Sequence, residues 1–505
     1  MARRYKTSSR RNVFGLLMMR PYVAHFLNWR SAVLSATIWC GFSTPSHAQS
    51  ILGFGDLSDS FSLIPPPTFA APEANQQMPL AVAPPLGENE SYDGPLWDRD
   101  YLIGDPFHMR TYLNEKGVNI SMMEQSEVLG NLTGGLHTGA VYDGLTSIAL
   151  TTNLEKLAGI PGLQFNVSAF HFHGRSITLD NLSDLNTASG LEADRGFRLN
   201  ELWLDQSLWD GLFSLRLGQQ SVDNEFMISY YSMLFINGGF GWPTLPSVDL
   251  PNGGNAFPLP TPGLRFRFQP RPEYTLLIGA YNGNPGSYVT NPSGTAFPIN
   301  DGLFAIVEFQ YDLHHGGKDG LPGFYHLGSY YNSASFNNAA STVGLTPVSN
   351  RHAILTYRND WAVYFSADQM LYREKDTEDQ GLGTFIEIIS APSDRNLVSF
   401  NVNAGLTYKG LIPKRDLDTI GISVAYSHVS DGKGNGFIQP QNGVVQKGSE
   451  TVFELTYQAS ITHWWLLQPD LQYVFNPSAG LALPTNPSTR IGNELIMGLR
   501  TTITF

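Results

Sequence analysis

Three arginines bracket the longest connection in the chain. Arg216 precedes it, Arg265 and Arg267 follow it, and the 41 residues of 222–262 carry Asp223, Glu225, Phe226, Tyr230, Tyr231, Trp242 and Asp249 before a Pro/Gly-rich end. A connection of that length is uncommon unless it has a function. Upstream, Glu201, Trp203 and Asp205 recur at every second residue, opposite Leu202 and Leu204. If 222–262 folds inward, it sets rings and carboxylates against a basic wall. Rings stack on the apolar face of a sugar while charges hydrogen-bond its hydroxyls, which makes a weak site that a sugar can both enter and leave. The competing reading is an ordinary long surface loop.

Positioning such a set requires a wall with two distinct faces, and the chain has the pattern for one. In 212–221, Phe213, Leu215 and Leu217 alternate with Ser214, Arg216, Gly218 and Gln220. In 263–270, Leu264, Phe266 and Phe268 alternate with Arg265, Arg267 and Gln269, and in 302–312 Leu303, Ala305, Val307, Phe309 and Tyr311 oppose Glu308, Gln310 and Asp312. Side chains alternate across a strand, so each segment has an apolar face and a wet one. The last segment, 491–505, does the same and stops on an aromatic residue, Phe505, with Leu495, Met497, Leu499 and Ile503 on one parity and Glu494 and Arg500 on the other.

Sixteen such segments are expected: 117–130, 137–153, 162–173, 195–208, 212–221, 263–270, 273–282, 302–312, 322–333, 361–373, 383–391, 396–409, 418–429, 449–461, 463–475 and 491–505. Their connections sort by parity. Those leaving even-numbered strands are short, and those leaving odd-numbered strands are mostly long, with 131–136 and 392–395 as exceptions. Short turns at one end and long loops at the other mark an up-and-down transmembrane β-barrel whose short-turn end is periplasmic. A lipid-facing arginine at midplane would cost ~2–4 kcal/mol, so the charged parity belongs to the lumen. Trp209, Trp464 and Trp465 fall at short turns, where an interfacial aromatic girdle is expected. The final strand should close against the first near Val118–Asn131, with its apolar parity outward.

Composition agrees with an all-β membrane barrel. Charged residues are only 15% of the chain, against the roughly 25% usual in soluble domains. The first 48 residues contain seven Lys and Arg and no acid, then an apolar run from Ala32 to Phe42 and a small-residue cleavage pattern at Ser46-His47-Ala48, the features of a secretory signal. Its removal takes away the only cysteine, Cys40, and leaves 24 basic residues against 44 acidic ones, a net charge of −20 that argues against a nucleic-acid partner. Residues 49–95 are rich in Pro and Ala and read as an extended periplasmic linker. Within 96–116, Asp105-Pro106 and Lys116-Gly117 bracket a short helix over Pro106–Lys116 that must dock on something. The barrel occupies 117–505.

Motifs for an enzyme are absent: there is no G-x-S-x-G elbow, Walker loop, H-E-x-x-H or EF-hand spacing. His171 and His173 share a strand face, but two ligands do not make a metal site, and a rim or girdle role is expected for both. The paired acids Asp98/Asp100 and Asp416/Asp418 read as turn formers. No cofactor and no metal are expected. A barrel enzyme of lipase type and a secreted β-rich lectin or adhesin remain as alternatives.

In order along the chain, Gly104-Asp105, Lys116-Gly117-Val118, Leu129-Gly130-Asn131 with Gly134-Gly135, and Asn200-Glu201-Leu202-Trp203-Leu204-Asp205-Gln206 are followed by Leu217-Gly218-Gln219, Glu225-Phe226, Pro262-Gly263-Leu264-Arg265 and Gly410-Leu411-Ile412-Pro413 with Arg415, Asp418 and Gly421. In these pieces, spread from about Asp93 to Phe505, the chain resembles the carbohydrate-selective porins of the OprB family. The resemblance implies a sixteen-stranded outer-membrane barrel of a Gram-negative bacterium, passing monosaccharides such as glucose by facilitated diffusion through an arginine-containing, aromatic-flanked constriction. Candidates for that constriction are Arg216, Arg265, Arg267, Glu201, Trp203, Asp205, Asp223, Glu225 and Trp242. It also implies that the short helix sits near the periplasmic mouth and that barrel-assembly machinery reads the end at Phe505. Expected partners are sugars and outer-membrane lipid, with a homo-oligomer left open.

Overall fold

The computed structural model describes residues 94–315, 320–337, 356–377, 379–430 and 448–505. The signal expected over 1–48 and nearly all of the 49–95 linker lie outside the described residues. From Val118 onward, alternating sequence becomes strand: β1 (Val118–Gly135), β2 (Gly139–Asn153), β3 (Leu163–Gly174), β4 (Gly196–Leu208), β5 (Phe213–Gln220), β6 (Thr261–Arg271), β7 (Tyr274–Asn282) and β8 (Leu303–Leu313). The series continues as β9 (Gly323–Asn337), β10 (Thr356–Arg373), β11 (Gly381–Ser390), β12 (Val398–Lys409), β13 (Thr419–Val429), β14 (Ser449–Thr462) and β15 (Trp465–Phe475). A two-stranded hairpin, β16 (Ala482–Leu483) with β17 (Asn486–Arg490), lies within the last long connection, before β18 (Gly492–Thr504).

Every neighbouring pair in the barrel is antiparallel, and β18 joins β15 to β1, so sixteen strands close a barrel with no open edge. Closure is what a membrane demands, because hydrocarbon offers no partner to an unpaired strand edge. The closing register runs from Met123 opposite Thr504 to Asn131 opposite Ile496, where the sequence places it. On β18, Met497 and Leu499 are about half exposed while Glu494, Ile496 and Arg500 are buried, so the apolar parity faces out. Outward rings gather beside the short turns: Tyr274 stacks on Tyr311 at 5.3 Å, and Phe213 on Phe268 at 4.9 Å.

Two local expectations are corrected. The helix does not run unbroken from Pro106, because Phe107 and His108 both take left-handed backbone angles and a single 3-10 turn precedes α1 (Met109–Glu115). Asp105 still caps it, accepting from the amides of Arg110 (2.7 Å) and Thr111 (3.3 Å). Trp464 is no girdle residue either: it is buried, its indole N–H donates to the Leu96 carbonyl, and Trp97 packs beside it. Trp209, by contrast, stands exposed at its turn.

The barrel interior is filled. Connections 175–195 and 221–260 turn inward and pack on the wall, so the apolar core of the protein lies inside the barrel. Phe226, Met227, Trp242, Leu245 and Leu250 of the longer connection meet Leu277, Tyr281, Phe304, Ile306, Tyr330 and Tyr364 of β7–β10. A second cluster joins Leu234, Phe235 and Phe240 to Phe385, Ala425, Val452, Val474 and Ile496.

Candidate functional site

The 221–260 connection is held by side chains of inward parity around much of the barrel. Glu201 on β4 accepts from the Ser221 amide (3.0 Å) and from Asn224 (2.9 Å). Glu308 on β8 accepts from the Met227 amide (2.8 Å), Asp368 on β10 from the Tyr231 amide (3.0 Å) and the Ser229 hydroxyl (2.8 Å), and Glu454 on β14 from the amides of Ile236 (2.5 Å) and Asn237 (3.1 Å). Asp249 reverses the direction, reaching from the connection to the Leu397 amide at the start of β12. An irregular segment buried inside a barrel leaves many backbone N–H groups without partners, and these carboxylates supply acceptors for them.

Between β4, β5 and β6 the expected charged set assembles. Register places Asp205 opposite Arg216 and Arg216 opposite Arg265, so three charges share one row. Arg216 pairs with Asp205 (3.0 Å) and Glu225 (3.2 Å), and Arg265 with Asp205 (2.7 Å) and Glu225 (2.5 Å). The Arg216 guanidinium lies 3.8 Å from the centre of the Trp203 ring, whose indole N–H donates to Glu201. Six of the nine candidates thus form one buried network. Burial opposes the charge on Glu225, but Arg216 and Arg265 outweigh it and hold that carboxyl below the usual range.

The other three stand apart from that network. Arg267 is one row away, opposite Ser214, and its Nε has no hydrogen-bond partner among the described residues. Asp223 accepts from the Ser221 hydroxyl and the Phe257 amide, and burial pushes its carboxyl up. Trp242 donates to the Gly253 carbonyl.

Asp223 and Trp242 instead border a cavity of about 250 Å³ between the inward connections. Its lining mixes apolar side chains, among them Leu191, Phe235, Phe240, Trp242, Phe257 and Leu259, with polar ones, among them Glu192, Asp223, Asn224, Asn237, Tyr288 and Arg500. A space lined by both aromatic rings and hydrogen-bonding groups suits a small polyhydroxylated molecule, which has apolar C–H faces and hydroxyls.

Arg500 is the arginine on this lining, and it is fixed by Glu127 (2.7 Å) and Ser189 (3.0 Å). Its parity marks it as a lumen charge, but nothing in its neighbourhood in sequence distinguishes it from Arg216 or Arg265. Glu308 was legible only as the charged face of its strand, and Asp368 and Glu454 were not singled out, since the partners of all three are backbone amides more than 80 residues away.

The model of the family described as carbohydrate-selective porin, OprB family, matches residues 137–505. Porin B of Pseudomonas aeruginosa is 25% identical over 434 residues, covering 79% of this chain and 90% of that protein. The putative porin QuiX of Acinetobacter baylyi is 23% identical over 430 residues, covering 79% and 94% respectively. Among solved structures, the high-pH form of OprB from Pseudomonas putida superposes with a TM-score of 0.71 at 22% identity, covering 82% of this chain and 100% of that one.

Proposed function

This chain belongs to the OprB family of carbohydrate-selective porins of the Gram-negative outer membrane, and we propose that it passes monosaccharides such as glucose passively down their gradient. The observation that carries this reading is the cavity of mixed aromatic and hydrogen-bonding lining between inward connections that the wall holds in place. Passage through such a site requires contacts strong enough to select and weak enough to release.

In this reading the route runs past Trp242, Asp223 and Arg500. The Arg216–Asp205–Arg265–Glu225 network acts from behind: it fixes the start of the connection, and so the width of the passage. Arg267 stands one row from that network on the same inward wall. The short-turn end faces the periplasm, and α1 lies beside the mouth there, tied to the C-terminus by the bond from Arg110 to the Phe505 carbonyl (2.8 Å).

The relatives named above are porins, which are channels rather than enzymes. A lipolytic barrel would need a serine activated by a histidine on its outer wall. The outward His173 is bonded to Glu124 and Tyr142 instead. Liposomes carrying the purified protein should admit a neutral hexose faster than empty ones, and equal rates would overturn the proposal.

A further inference from the structure

We propose that the outer wall over β6–β10, beside the short turns, holds one phospholipid, with its phosphate on Arg271 and an acyl chain in an aromatic hollow next to it. An open hollow of about 390 Å³ lies there among Tyr274, Phe309, Tyr311, Tyr325, Leu327 and Phe365. Strand register accounts for its walls. Tyr274, Tyr311 and Tyr325 stand opposite one another in one row across β7, β8 and β9, and Leu276, Phe309, Leu327 and Phe365 form the next outward row toward the middle of the barrel. The ring planes of Tyr274 and Tyr311 differ by 20°, those of Tyr274 and Phe309 by 25° and those of Tyr311 and Tyr325 by 26°, so the rings lean the same way. Near-parallel rings leave a slot beside them, with the exposed side chains of Leu327 and Phe365 as its far side.

The tyrosine row ends in a cation. Arg271 pairs with Tyr274 across the two-residue turn between β6 and β7, so both side chains leave the sheet on the same side, roughly 5 Å apart at Cβ. Arg271 is exposed, and its guanidinium has no hydrogen-bond or ion-pair partner among the described residues. Arg216 and Arg265 on the inner face of the same wall are both held by carboxylates.

This patch belongs to the short-turn end, which faces the periplasm, so the leaflet against it is phospholipid. Tyrosine suits the headgroup boundary, because one end of the side chain is apolar and the other wet. A guanidinium matches a phosphate through two parallel charge-assisted bonds. Hydrocarbon alone would fill the hollow and leave the arginine unpaired. The occupant that satisfies both carries an anion on a chain, and a glycerophospholipid in the leaflet alongside has that form.

The test is native mass spectrometry of the whole protein in detergent with a small molar excess of phosphatidylglycerol. The wild type should keep one lipid at collision energies that strip the rest, and should keep several-fold less diacylglycerol, which has the same chains and no phosphate. Arg271→Ala should lower the retained fraction several-fold, whereas Lys156→Ala, at an exposed lysine of the β2–β3 turn, should not. Leu327→Trp should fill the hollow and lose the lipid with Arg271 still in place. Heat-modifiable migration, the sign of an intact barrel, should persist in all three. Equal retention in wild type, Arg271→Ala and Lys156→Ala would reduce the patch to ordinary bulk-lipid contact and overturn the proposal. A second copy bound in place of the lipid would also overturn it, as would equal retention of the two lipids, and that comparison on the wild type decides alone if Arg271→Ala fails to assemble.

Discussion

Arg265 grips Glu225 through two bonds, Nη2 to Oε1 at 2.8 Å and Nε to Oε2 at 2.5 Å, and so ties a barrel strand to the connection that fills the lumen. Arg265 is almost wholly buried, and the same guanidinium also reaches Asp205 and Ser214. A planar five-donor group suits this task better than a lysine would.

Removing it should loosen the passage before it damages the barrel. Breaking a buried ion pair costs on the order of 3–5 kcal/mol, whereas the closed sheet keeps its own hydrogen bonds. Arg265→Ala is therefore expected to fold with normal heat-modifiable migration but to show a larger, noisier single-channel conductance and weaker sugar discrimination. Unchanged conductance and selectivity would mean that the clasp does not set the passage.

Glu454 provides an independent check on the far wall. Its replacement by Ala leaves the amides of Ile236 and Asn237 without their acceptor, at ~1–3 kcal/mol for each buried donor. Amide exchange over 234–240 should accelerate while exchange in β14 and β15 stays slow. Equal protection in the variant would show that other contacts hold this part of the connection.

Glu192, in the connection between β3 and β4, gives the passage a pH dependence. Burial pushes its carboxyl up to about 7 from an ordinary 4.5, against hydrogen bonds from Ser176 and Thr178. An acid with a raised native pKa binds its proton more tightly when folded. The stability it lends is complete below about pH 4.5 and is lost as pH rises through about 7. Exchange over 176–192, corrected for its intrinsic pH dependence, should be faster at alkaline than at acidic pH in the wild type. Glu192→Gln should flatten that difference, and a slope that survives in the variant would assign it to another group.

Phe505 joins three elements at the seam. Its amide donates to the Met122 carbonyl on β1 (2.9 Å), and its carbonyl accepts from Arg110 of α1. Deleting it should reduce the amount of barrel inserted in cells more than the transport rate per inserted barrel. Normal surface levels without Phe505 would leave it only as an interfacial ring.

Much of the barrel was legible because alternation and loop length are local properties: one residue's parity fixes its neighbours' faces, and β18 found its partner from that alone. The charged set at Asp205, Arg216, Arg265 and Glu225 was legible for the same reason, with three of its members on one inward row. Long-range choices were not. Arg500 and the amide-binding carboxylates take their roles from the path of an irregular connection, which no period encodes. Trp464 looked like a girdle residue because a short turn precedes it, and the 94–103 segment that covers it could not be inferred. His171 and His173 were assigned correctly to the outer face. Their tie to Glu124 depends on the bare surface of Gly144, visible only once three strands are in register.

The most direct test of the central claim is single-channel recording in a planar bilayer with neutral hexoses titrated on both sides. A sugar that lingers beside Trp242 should reduce the current reversibly and in a saturable way. Trp242→Ala should weaken that block by roughly 2- to 10-fold, as expected for a ring contact worth ~0.5–1.5 kcal/mol. An open channel whose current is indifferent to every hexose, in wild type and variant alike, would contradict a carbohydrate-selective passage at this site.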